Sequence, residues 1–280
     1  MSRIAVIGDI GGHTALLRRA LEALGAGSDG DALRLPADLT VVQVGDLIHR
    51  GPDSRGALAL ADTVMWRQPG QWIQLAGNHE AQYLTVPAFL WPETLDPADS
   101  RLLRRWWDTG RLRVATAISA PDHGELLVTH AGLTVGLWHE LGRPGTATAA
   151  AEALCGLPRT AGSPLWRPGR MLSDHRTDPA AGPLWAAAAE ELYEPWRRYA
   201  AAGGQVPFGQ VHGHSTPYHY GSGRWYSTAP VIEQVQVDAA ARHIRVTIGG
   251  RLFTGIDPGF GRHGAARWSP LVLEGATVTA

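Results

Sequence analysis

Short apolar runs recur along the chain, and several of them end in glycine followed by polar residues. Five such runs stand out: Ile4–Ile7, Leu39–Val44, Trp72–Leu75, Leu126–Val128 and Phe208–Val211. Runs this short, rich in valine and isoleucine and closed by a polar cluster, are typical of buried strands. The pattern therefore predicts a sheet whose strands lead directly into polar residues.

Helical patterns separate the first three of these strands. Between Leu16 and Leu24 the apolar residues recur at helical spacing, and Gly25 is a typical helix stop. A second helix is predicted after Asp53 or Ser54, either of which can cap its first turn. Alternating strands and helices predict parallel strands with crossover helices, and in such sheets the carboxyl ends of the strands face one crevice.

The rest of the sequence changes character twice. Residues 133–206 are rich in alanine, glycine and proline and have a helical stretch at Leu184–Tyr199, so we interpret them as a helical insertion over the sheet. After them, Val231–Val237 and Ile244–Ile248 predict a hairpin, and Ser269–Leu273 predicts a further strand. We expect one α/β domain in which two sheets are flanked by helices.

Composition excludes several kinds of chemistry. The 280 residues include 25 Lys+Arg and 26 Asp+Glu, a net charge of -1, so no bulk attraction to nucleic acid or an anionic membrane is expected. The chain has no lysine, which excludes a Schiff base and a P-loop phosphate lysine. One cysteine, Cys155, excludes an internal disulfide and a cysteine-rich zinc site.

The apolar pattern also bears on localisation. The N-terminus leads through Arg3 directly into the first predicted strand, whereas a signal peptide needs a longer apolar region and a small-residue cleavage site. No run approaches the ~20 apolar residues of a membrane span. We therefore expect a soluble, cytoplasmic protein.

Side chains that can bind metal follow all five predicted strands. Taken singly, each is more easily explained as a turn residue or a hydrogen-bonded core histidine. Burying the whole set in one place costs several kcal/mol unless the groups are paired or bind a cation. Mixed carboxylate, amide and imidazole ligands suit Mn, Fe or Zn, so the set predicts a metal site. Its members are Asp9, Asp46, Asn78, His79, His130 and His214.

The same segments resemble the motifs of the calcineurin-like metallophosphoesterases, most closely the branch of bacterial serine/threonine phosphatases and diadenosine tetraphosphate hydrolases. The resemblance spans most of the chain. It implies a four-layer αββα sandwich, a single domain over residues 1–280 with residues 133–206 at the rim of the site. The matching segments are Gly8–His13, Gly45–Ser54, Gly77–Glu80, Thr129–Gly132, Gly213–Ser215 and Gly255–Gly259.

The resemblance implies metal-dependent hydrolysis of a phosphate mono- or diester. Two divalent ions ~3.5–4 Å apart would clamp the phosphate and activate a water for in-line attack. Asp46 would bridge the ions, Asn78, His130 and His214 would complete one site, and Asp9 would belong to the other. We expect one or two ions per chain, with Mn favoured over Fe or Zn, and the substrate would be a phosphorylated small molecule or a phosphoprotein.

Three further residues take roles that the resemblance implies. Arg50 would hold phosphate oxygens with its rigid guanidinium group. His79 would stabilise the transition state and protonate the leaving oxygen. The family usually has a further arginine in the insertion, for which Arg167 is a candidate, and the alternative is that Arg167 is a solvated surface arginine.

Two positions depart from the family motifs. The first motif normally reads Asp-x-His, and the histidine position here is Gly11, so the first ion loses an imidazole ligand. In the second motif, His49 replaces an aspartate that ordinarily orients the catalytic histidine. An imidazole cannot raise the basicity of His79 as an anion does, and two protonated rings would repel.

Three histidines could supply the missing first-site ligand. His49 lies about one turn beyond Asp46 if that loop is helical, and His212 points to the same side as His214 if the strand is extended. His13 is a weaker candidate, because a histidine at a helix start is usually exposed. We favour His49, with the alternative that it merely packs on the catalytic histidine.

Three functions remain open at this point. The preferred one is hydrolysis of a phosphate ester, and a phosphatase acting on phosphoserine or phosphothreonine in proteins is the second. The third is a catalytically weak metal-containing module that binds a phosphorylated ligand, which Gly11 and His49 favour. The retention of Asp9, Arg50 and the other site residues favours an enzyme.

Overall fold

Two β-sheets lie at the centre of the protein. The computed structural model describes residues 1–29, 32–88, 91–260 and 267–280. The described strands are β1 (Arg3–Ile7), β2 (Gly27–Asp29), β3 (Ala32–Arg34), β4 (Leu39–Gln43), β5 (Trp72–Leu75), β6 (Leu112–Arg113), β7 (Ala115–Ala120), β8 (Gly124–Thr129), β9 (Gly209–His212), β10 (Tyr218–His219), β11 (Arg224–Trp225), β12 (Gln236–Asp238), β13 (His243–Ile248), β14 (Arg251–Gly255), β15 (Leu271–Glu274) and β16 (Thr277–Val278).

Seven α-helices and several shorter turns accompany the described strands. The helices are α1 (Thr14–Ala23), α2 (Ser54–Arg67), α3 (Asn78–Leu84), α4 (Pro97–Asp108), α5 (Val135–Glu140), α6 (Ala147–Cys155) and α7 (Glu194–Ala201). Short 3-10 turns occupy Pro164–Trp166, Arg170–Leu172 and Pro230–Gln234, and a π-helical turn, Ala188–Tyr193, leads into α7. Within the part of the chain that is described, no helix has the length and apolar character needed to cross a membrane.

The first sheet brings three metal-binding candidates to one edge. Its five strands lie in the order β15-β1-β4-β5-β6, with β1, β4, β5 and β6 mutually parallel. Because β1, β4 and β5 are in register, they end at the same edge of the sheet. Asp9, Asp46 and Asn78 follow these three ends.

The second sheet also brings three polar side chains to one edge, through its own parallel strands. Its seven strands lie in the order β12-β13-β14-β9-β8-β7-β16, and β14, β9 and β8 are the parallel ones. Val128 pairs with Val211, and Gly255 pairs with His212, so these three strands also end side by side. His130, His214 and Asp257 follow their carboxyl ends.

An apolar layer between the two sheets holds the two edges together. Alternate strand residues face this layer, and the others face helices on the outer sides of the sheets. Helix α2 packs on β5, α6 packs on β7 and β8, and α7 packs on β13. The predicted αββα architecture is thereby confirmed. The layer between the sheets contains Ile4, Val6, Val42, Val44, Leu75, Ile118, Leu126, Val128 and Val211.

Most of the elements expected from the sequence are present, with three corrections. The helical stretch expected at Leu184–Tyr199 begins only at Ala188, as a π-helical turn that leads into α7. The five predicted strands and the first two helices are confirmed, and Asp53 caps α2 by accepting from the N–H of Gly56 at 2.8 Å. The predicted hairpin is shorter than expected, because Pro230 starts a 3-10 turn, and only Gln236–Asp238 pairs with β13. The last predicted strand is shifted to Leu271–Glu274, where it pairs with β1.

Candidate metal centre

The two sheet edges bring an aspartate and two histidines together. The ligand atoms of Asp46, His130 and His214 all lie within 4.8 Å of one another. Asn78 joins them, because its Oδ1 atom is 3.0 Å from His130 Nε2 and 2.9 Å from His214 Nδ1. The residues come from both sheets, so this group forms only when the sheets pack together.

The orientation of His130 fits a metal ligand. Its Nδ1–H donates to the carbonyl of Val44 at 3.0 Å, which leaves the lone pair on Nε2. That lone pair faces Asn78 Oδ1 and, at 3.4 Å, the carboxylate oxygen Asp46 Oδ1. Three electron-rich atoms therefore converge without a proton between them, and a divalent cation is the natural partner for such a set.

Asp46 is held in place by a buried glutamate. The Glu80 carboxylate accepts from the backbone N–H groups of Gly77, Asp46 and Leu47 at 2.8, 2.8 and 2.9 Å. Burial, followed by the nearby charge of Asp46, raises the pKa of Glu80 to about 7. Glu80 thereby fixes the loop after β4 against the start of α3, so that Asp46 is oriented before any ligand arrives.

Four residues in this part of the molecule have a left-handed backbone conformation. Asp46, His49, Arg50 and His214 have positive φ values of 52°, 69°, 69° and 62°. Such conformations cost a residue with a side chain about 1–3 kcal/mol. Hydrogen bonds offset the cost, for example from the N–H of His214 to Asp9 at 3.0 and 3.1 Å.

The electrostatics of Asp46 and Asp9 differ. Burial alone would raise the pKa of Asp46, but His130, His79 and then Arg50 bring it below its ordinary value. Burial raises the pKa of Asp9 well above its ordinary value, and the charges of Asp257 and Asp46 add to the effect. Asp9 thus lies among other acids, whereas Asp46 lies among basic groups.

Gly11 provides no side chain to the metal centre. Its φ is +51°, and a Cβ at this position would lie 3.2 Å from the carbonyl oxygen of His49. The backbone N–H of Gly11 donates to the carbonyl of Asp46 at 2.7 Å. The position is therefore fixed by the backbone and contributes no side chain to the centre.

His79 has a carbonyl partner where the family has a carboxylate. Its Nδ1–H donates to the carbonyl of Ile48 at 2.9 Å, and its Nε2 faces Asp46 Oδ2 at 3.5 Å. Burial is the main reason that the pKa of His79 lies below its usual value. The ring is therefore neutral at pH 7, with the lone pair of Nε2 directed toward the centre.

His49 packs on His79. The two ring centroids are 5.1 Å apart, and the His49 ring also stacks on Trp91, with 5.3 Å between centroids. Its Nε2 is 2.7 Å from the hydroxyl of Tyr83. Burial and then His79 lower the pKa of His49 to about 4, so the repulsion expected between two protonated rings does not arise at neutral pH.

The three other candidate residues are occupied elsewhere. His212 has both ring nitrogens engaged, with Tyr193 Oη at 2.6 Å and the carbonyl of Gly213 at 2.9 Å. Arg167 pairs with Glu140 at 2.8 and 2.9 Å and also donates to the carbonyl of Ala180 at 2.9 Å. His13 packs edge-on against Phe260 at 5.1 Å. None of the three belongs to the group of metal-binding atoms found among the described residues.

A cavity of about 170 Å³ opens beside this group. Arg50 lies in its wall, with its guanidinium carbon 5.5 Å from the centroid of the Trp91 ring. Met171, Leu172 and Trp185 come from the segment that we interpreted as an insertion. The cavity is lined by Arg50, Asn78, Trp91, Met171, Leu172, Trp185, His214, Asp257 and Gly259.

Sequence reasoning did not single out Glu80, Trp91 or Asp257 as members of the centre. Glu80 and Asp257 both lie in segments that resemble family motifs, and that position was the available signal. Trp91 had none, because a lone tryptophan is more often a packing residue. Only the folded chain places it against His79, at 4.4 Å between ring centroids.

Two solved protein structures resemble this one in fold. A cold-active protein-tyrosine phosphatase from Shewanella sp. is 15% identical, with a TM-score of 0.56 over 98% of this chain and 76% of that one. A protein serine/threonine phosphatase from Saccharomyces cerevisiae is 14% identical, with a TM-score of 0.50 over 91% of this chain and 67% of that one. At these identities the likeness concerns the fold alone. No curated protein sequence gives a significant match.

A family model provides the stronger comparison. The model for calcineurin-like phosphoesterases matches residues 2–245, which include every described element from β1 to β12. The match covers both sheet edges except for the strand end that carries Asp257. The chain therefore belongs to the calcineurin-like phosphoesterase family.

Proposed function

We propose that the protein hydrolyses a phosphate mono- or diester with the help of divalent metal ions, Mn²⁺ being favoured. The observation that carries the proposal is the convergence of Asp46, His130 and His214 within 4.8 Å of one another, beside a cavity that contains Arg50. A cation site next to a guanidinium group is suited to a phosphate, whose oxygens bind both. The lack of lysine leaves arginine as the cationic side chain for this purpose.

The residues present fit the metal that the family uses. Asp46, Asn78, His130 and His214 would hold one ion, and Asp9 would join Asp46 at the other. Bound divalent ions supply charge that stabilises the transition state and a water of lowered pKa. Arg50 would orient the phosphate by pairing with its non-bridging oxygens, which directs the phosphorus toward the metal-binding side chains.

His79 would move the proton. With Nδ1–H donated to Ile48, its Nε2 would take up the proton that the attacking water loses when it ionises, before the attack begins. As the new phosphorus–oxygen bond forms, the bond to the leaving oxygen would break on the opposite side of phosphorus, where Nε2 would give this proton to the leaving oxygen. Trp91 covers one side of the ring and excludes water from it.

An assay panel with added Mn²⁺ tests the proposal. The substrates are p-nitrophenyl phosphate, its bis-ester, a dinucleoside polyphosphate and a phosphoserine peptide, each with the wild type and with Asp46→Asn. Turnover of a substrate by the wild type, abolished in Asp46→Asn and retained in the control His212→Gln, is the expected result. Turnover that survives in Asp46→Asn would contradict the proposal, and preference for the peptide would indicate a protein phosphatase.

A second candidate is a module that binds a phosphorylated ligand without hydrolysing it. Gly11 and the replacement of an aspartate by His49 favour it, because both remove groups that the family uses for catalysis. A wild type that binds Mn²⁺ and a phosphate ester but turns over no member of the panel would support this candidate. Isothermal titration with the non-hydrolysable phosphate analogue phenylphosphonate measures that binding directly.

A further inference from the structure

The strand end that carries Asp257 is adjacent to the one that carries His214. Strand β14 runs parallel to β9 with Gly255 opposite His212, and the ladder continues with the N–H of Ile256 donating to the carbonyl of His212 at 2.8 Å. Asp257 and His214 both lie two residues beyond this pair. The topology therefore brings Asp257 to the same edge as the metal-binding residues.

Close backbone contact places Asp257 next to Asp9. A Cβ on Gly8 would lie only 2.0 Å from the carbonyl oxygen of Ile256, so the loop after β1 and the loop after β14 touch only because residue 8 is glycine. Asp257 is 7% exposed and lines the same cavity as Asn78 and His214. Its charge is the largest contribution, after burial, to the raised pKa of Asp9.

Three buried carboxylates thus share one side of the centre. Asp9, Asp46 and Asp257 are 6%, 2% and 7% exposed. Burying several like charges together is unfavourable unless cations compensate them. Arg50 lies near Asp9 and Asp46, and Arg242, which interacts electrostatically with Asp257, donates to the carbonyl of Pro258 at 2.6 Å.

A second feature points to a ligand at this place. The Nε2 atom of His79, which is 1% exposed, is 3.5 Å from Asp46 Oδ2 and has no hydrogen-bond partner among the residues that the structure describes. A buried imidazole nitrogen of this kind is expected to interact with a bound ligand or a water. It is directed at the carboxylate that both ions would share.

We propose that Asp257 is a ligand of the first ion, together with Asp9 and Asp46, and that it replaces the imidazole missing at Gly11. The inference rests on the metal-dependent function proposed above. It also sets the chemistry of the first site, since three carboxylates and no imidazole form an all-oxygen donor set. Such a set favours Mn²⁺ or Mg²⁺ over Zn²⁺, whereas the site with His130 and His214 accepts Zn²⁺.

The variant Asp257→Asn separates ligation from a structural role. Asp257 Oδ1 accepts from the N–H of Gly259 at 2.7 Å, and an asparagine keeps that acceptor while losing the charge. Asp238→Asn is the matched control, because Asp238 also accepts a hydrogen bond from a backbone N–H, that of Ala241 at 2.9 Å. Unlike Asp257, it is exposed and lies outside the segments that carry the metal-binding residues. Asp257→Glu keeps the charge on a longer side chain.

The experiment measures bound Mn²⁺ by elemental analysis after gel filtration, and the coupling between ions by low-temperature electron paramagnetic resonance. The wild type and Asp238→Asn are expected to bind two ions with an exchange-coupled spectrum. Asp257→Asn is expected to keep one isolated ion and to bind the other at least about tenfold more weakly. Competition with Zn²⁺ is expected to displace one of the two Mn²⁺ ions of the wild type and leave the other.

Three results would overturn the proposal. They are a single ion in the wild type, two coupled ions in Asp257→Asn, or loss of both ions in that variant. If Asp257→Asn fails to fold by circular dichroism, Asp257→Glu provides the test, and it must bind the first ion more tightly than Asp257→Ala. Hydrolysis is measured separately, so loss of one ion without any wild-type turnover retains this ligand assignment and refutes the proposed enzyme.

Discussion

The two sides of the metal centre are built from the same kind of strand end but with different side chains. On the imidazole side, Asn78, His130 and His214 meet Asp46, and the ring of His130 is oriented by the carbonyl of Val44. On the carboxylate side, Asp257 lies near Asp9, and Gly11 provides no side chain. Asp46 belongs to both sides.

This difference shows how the fold and the ligand set are separable. Parallel strands in register determine where the ligand positions are, because their carboxyl ends meet at one edge of each sheet. The side chain at each position then decides which cation binds there. A ligand lost at Gly11 can be recovered from a neighbouring strand end without any change in topology.

The largest effect is expected when the shared residue is changed. Asp46→Asn keeps the shape but removes the charge that both sides use, so both ions should be lost. Hydrolysis should fall about 1000-fold or more, because several kcal/mol of transition-state stabilisation disappear with the ions. Steady-state kinetics and metal analysis check this, and a variant that keeps one tightly bound ion would show that the sides are independent.

Two histidine variants distinguish a metal ligand from a core residue. His130→Ala should weaken binding of the second ion at least about 100-fold, since a direct ligand matters at least as much as a residue that orients one. His212→Ala should instead lower the free energy of unfolding by about 2–4 kcal/mol, because it leaves a cavity and an unpaired Tyr193 hydroxyl.

Metal titration and chemical denaturation of both variants distinguish the two roles. Each variant should change mainly one of the two quantities. If His212→Ala lost one ion while keeping its stability, His212 would be a ligand after all, as one of the sequence-based alternatives has it.

Restoring the family histidine on the carboxylate side is expected to fail. In Gly11→His the new residue must adopt a φ of +51° with its Cβ 3.2 Å from the carbonyl oxygen of His49. We expect a loss of about 1–2 kcal/mol in the free energy of unfolding and no gain in affinity for the first ion. Thermal unfolding with and without Mn²⁺ measures both, with Gly11→Ala as the control for backbone strain alone. Tighter binding of the first ion in Gly11→His would argue against Asp257 as its replacement.

The sequence predicted the strand ends well because each element carries its own local signal. Short apolar runs located five strands, and the polar residues after each run located Asp9, Asp46, Asn78, His130 and His214. These positions require only that parallel strands be in register. The family resemblance then supplied the architecture.

Contacts between elements distant in sequence could not be predicted in this way. The proximity of Asp257 to Asp9 depends on the approach of two loops at Gly8, and the stacking of Trp91 on His79 depends on the path of the chain after α3. The partners of His212 became visible only when the π-helical turn placed Tyr193 above it. An alternation pattern gives the face of a strand but does not say what covers that face.

The smallest effect is expected at a buried carboxylate that has cationic partners, in contrast to Asp9. Glu194 is 5% exposed and pairs with Arg197 and Arg198 at 2.7 and 2.8 Å, and despite some burial these arginines lower its pKa to about 2. Because the folded-state pKa lies below the unfolded value of 4.5, the stabilisation is complete above pH 4.5 and disappears as the pH falls toward 2.

Glu194→Gln should therefore lower the free energy of unfolding by about 1–2 kcal/mol at pH 7, a value reduced by the exposure of the arginines to solvent. The difference from the wild type should shrink between pH 4.5 and 2, and Mn²⁺ stoichiometry at pH 7 should not change. Urea denaturation at several pH values measures this.

A stability difference that stayed constant over that range would mean that the glutamate acts through its hydrogen bond to the N–H of Val231 rather than through its charge. If the difference instead shrinks as expected, the contrast with Asp9 holds, because a buried carboxylate paired with arginines stabilises the fold by itself, whereas one placed among acids requires a cation.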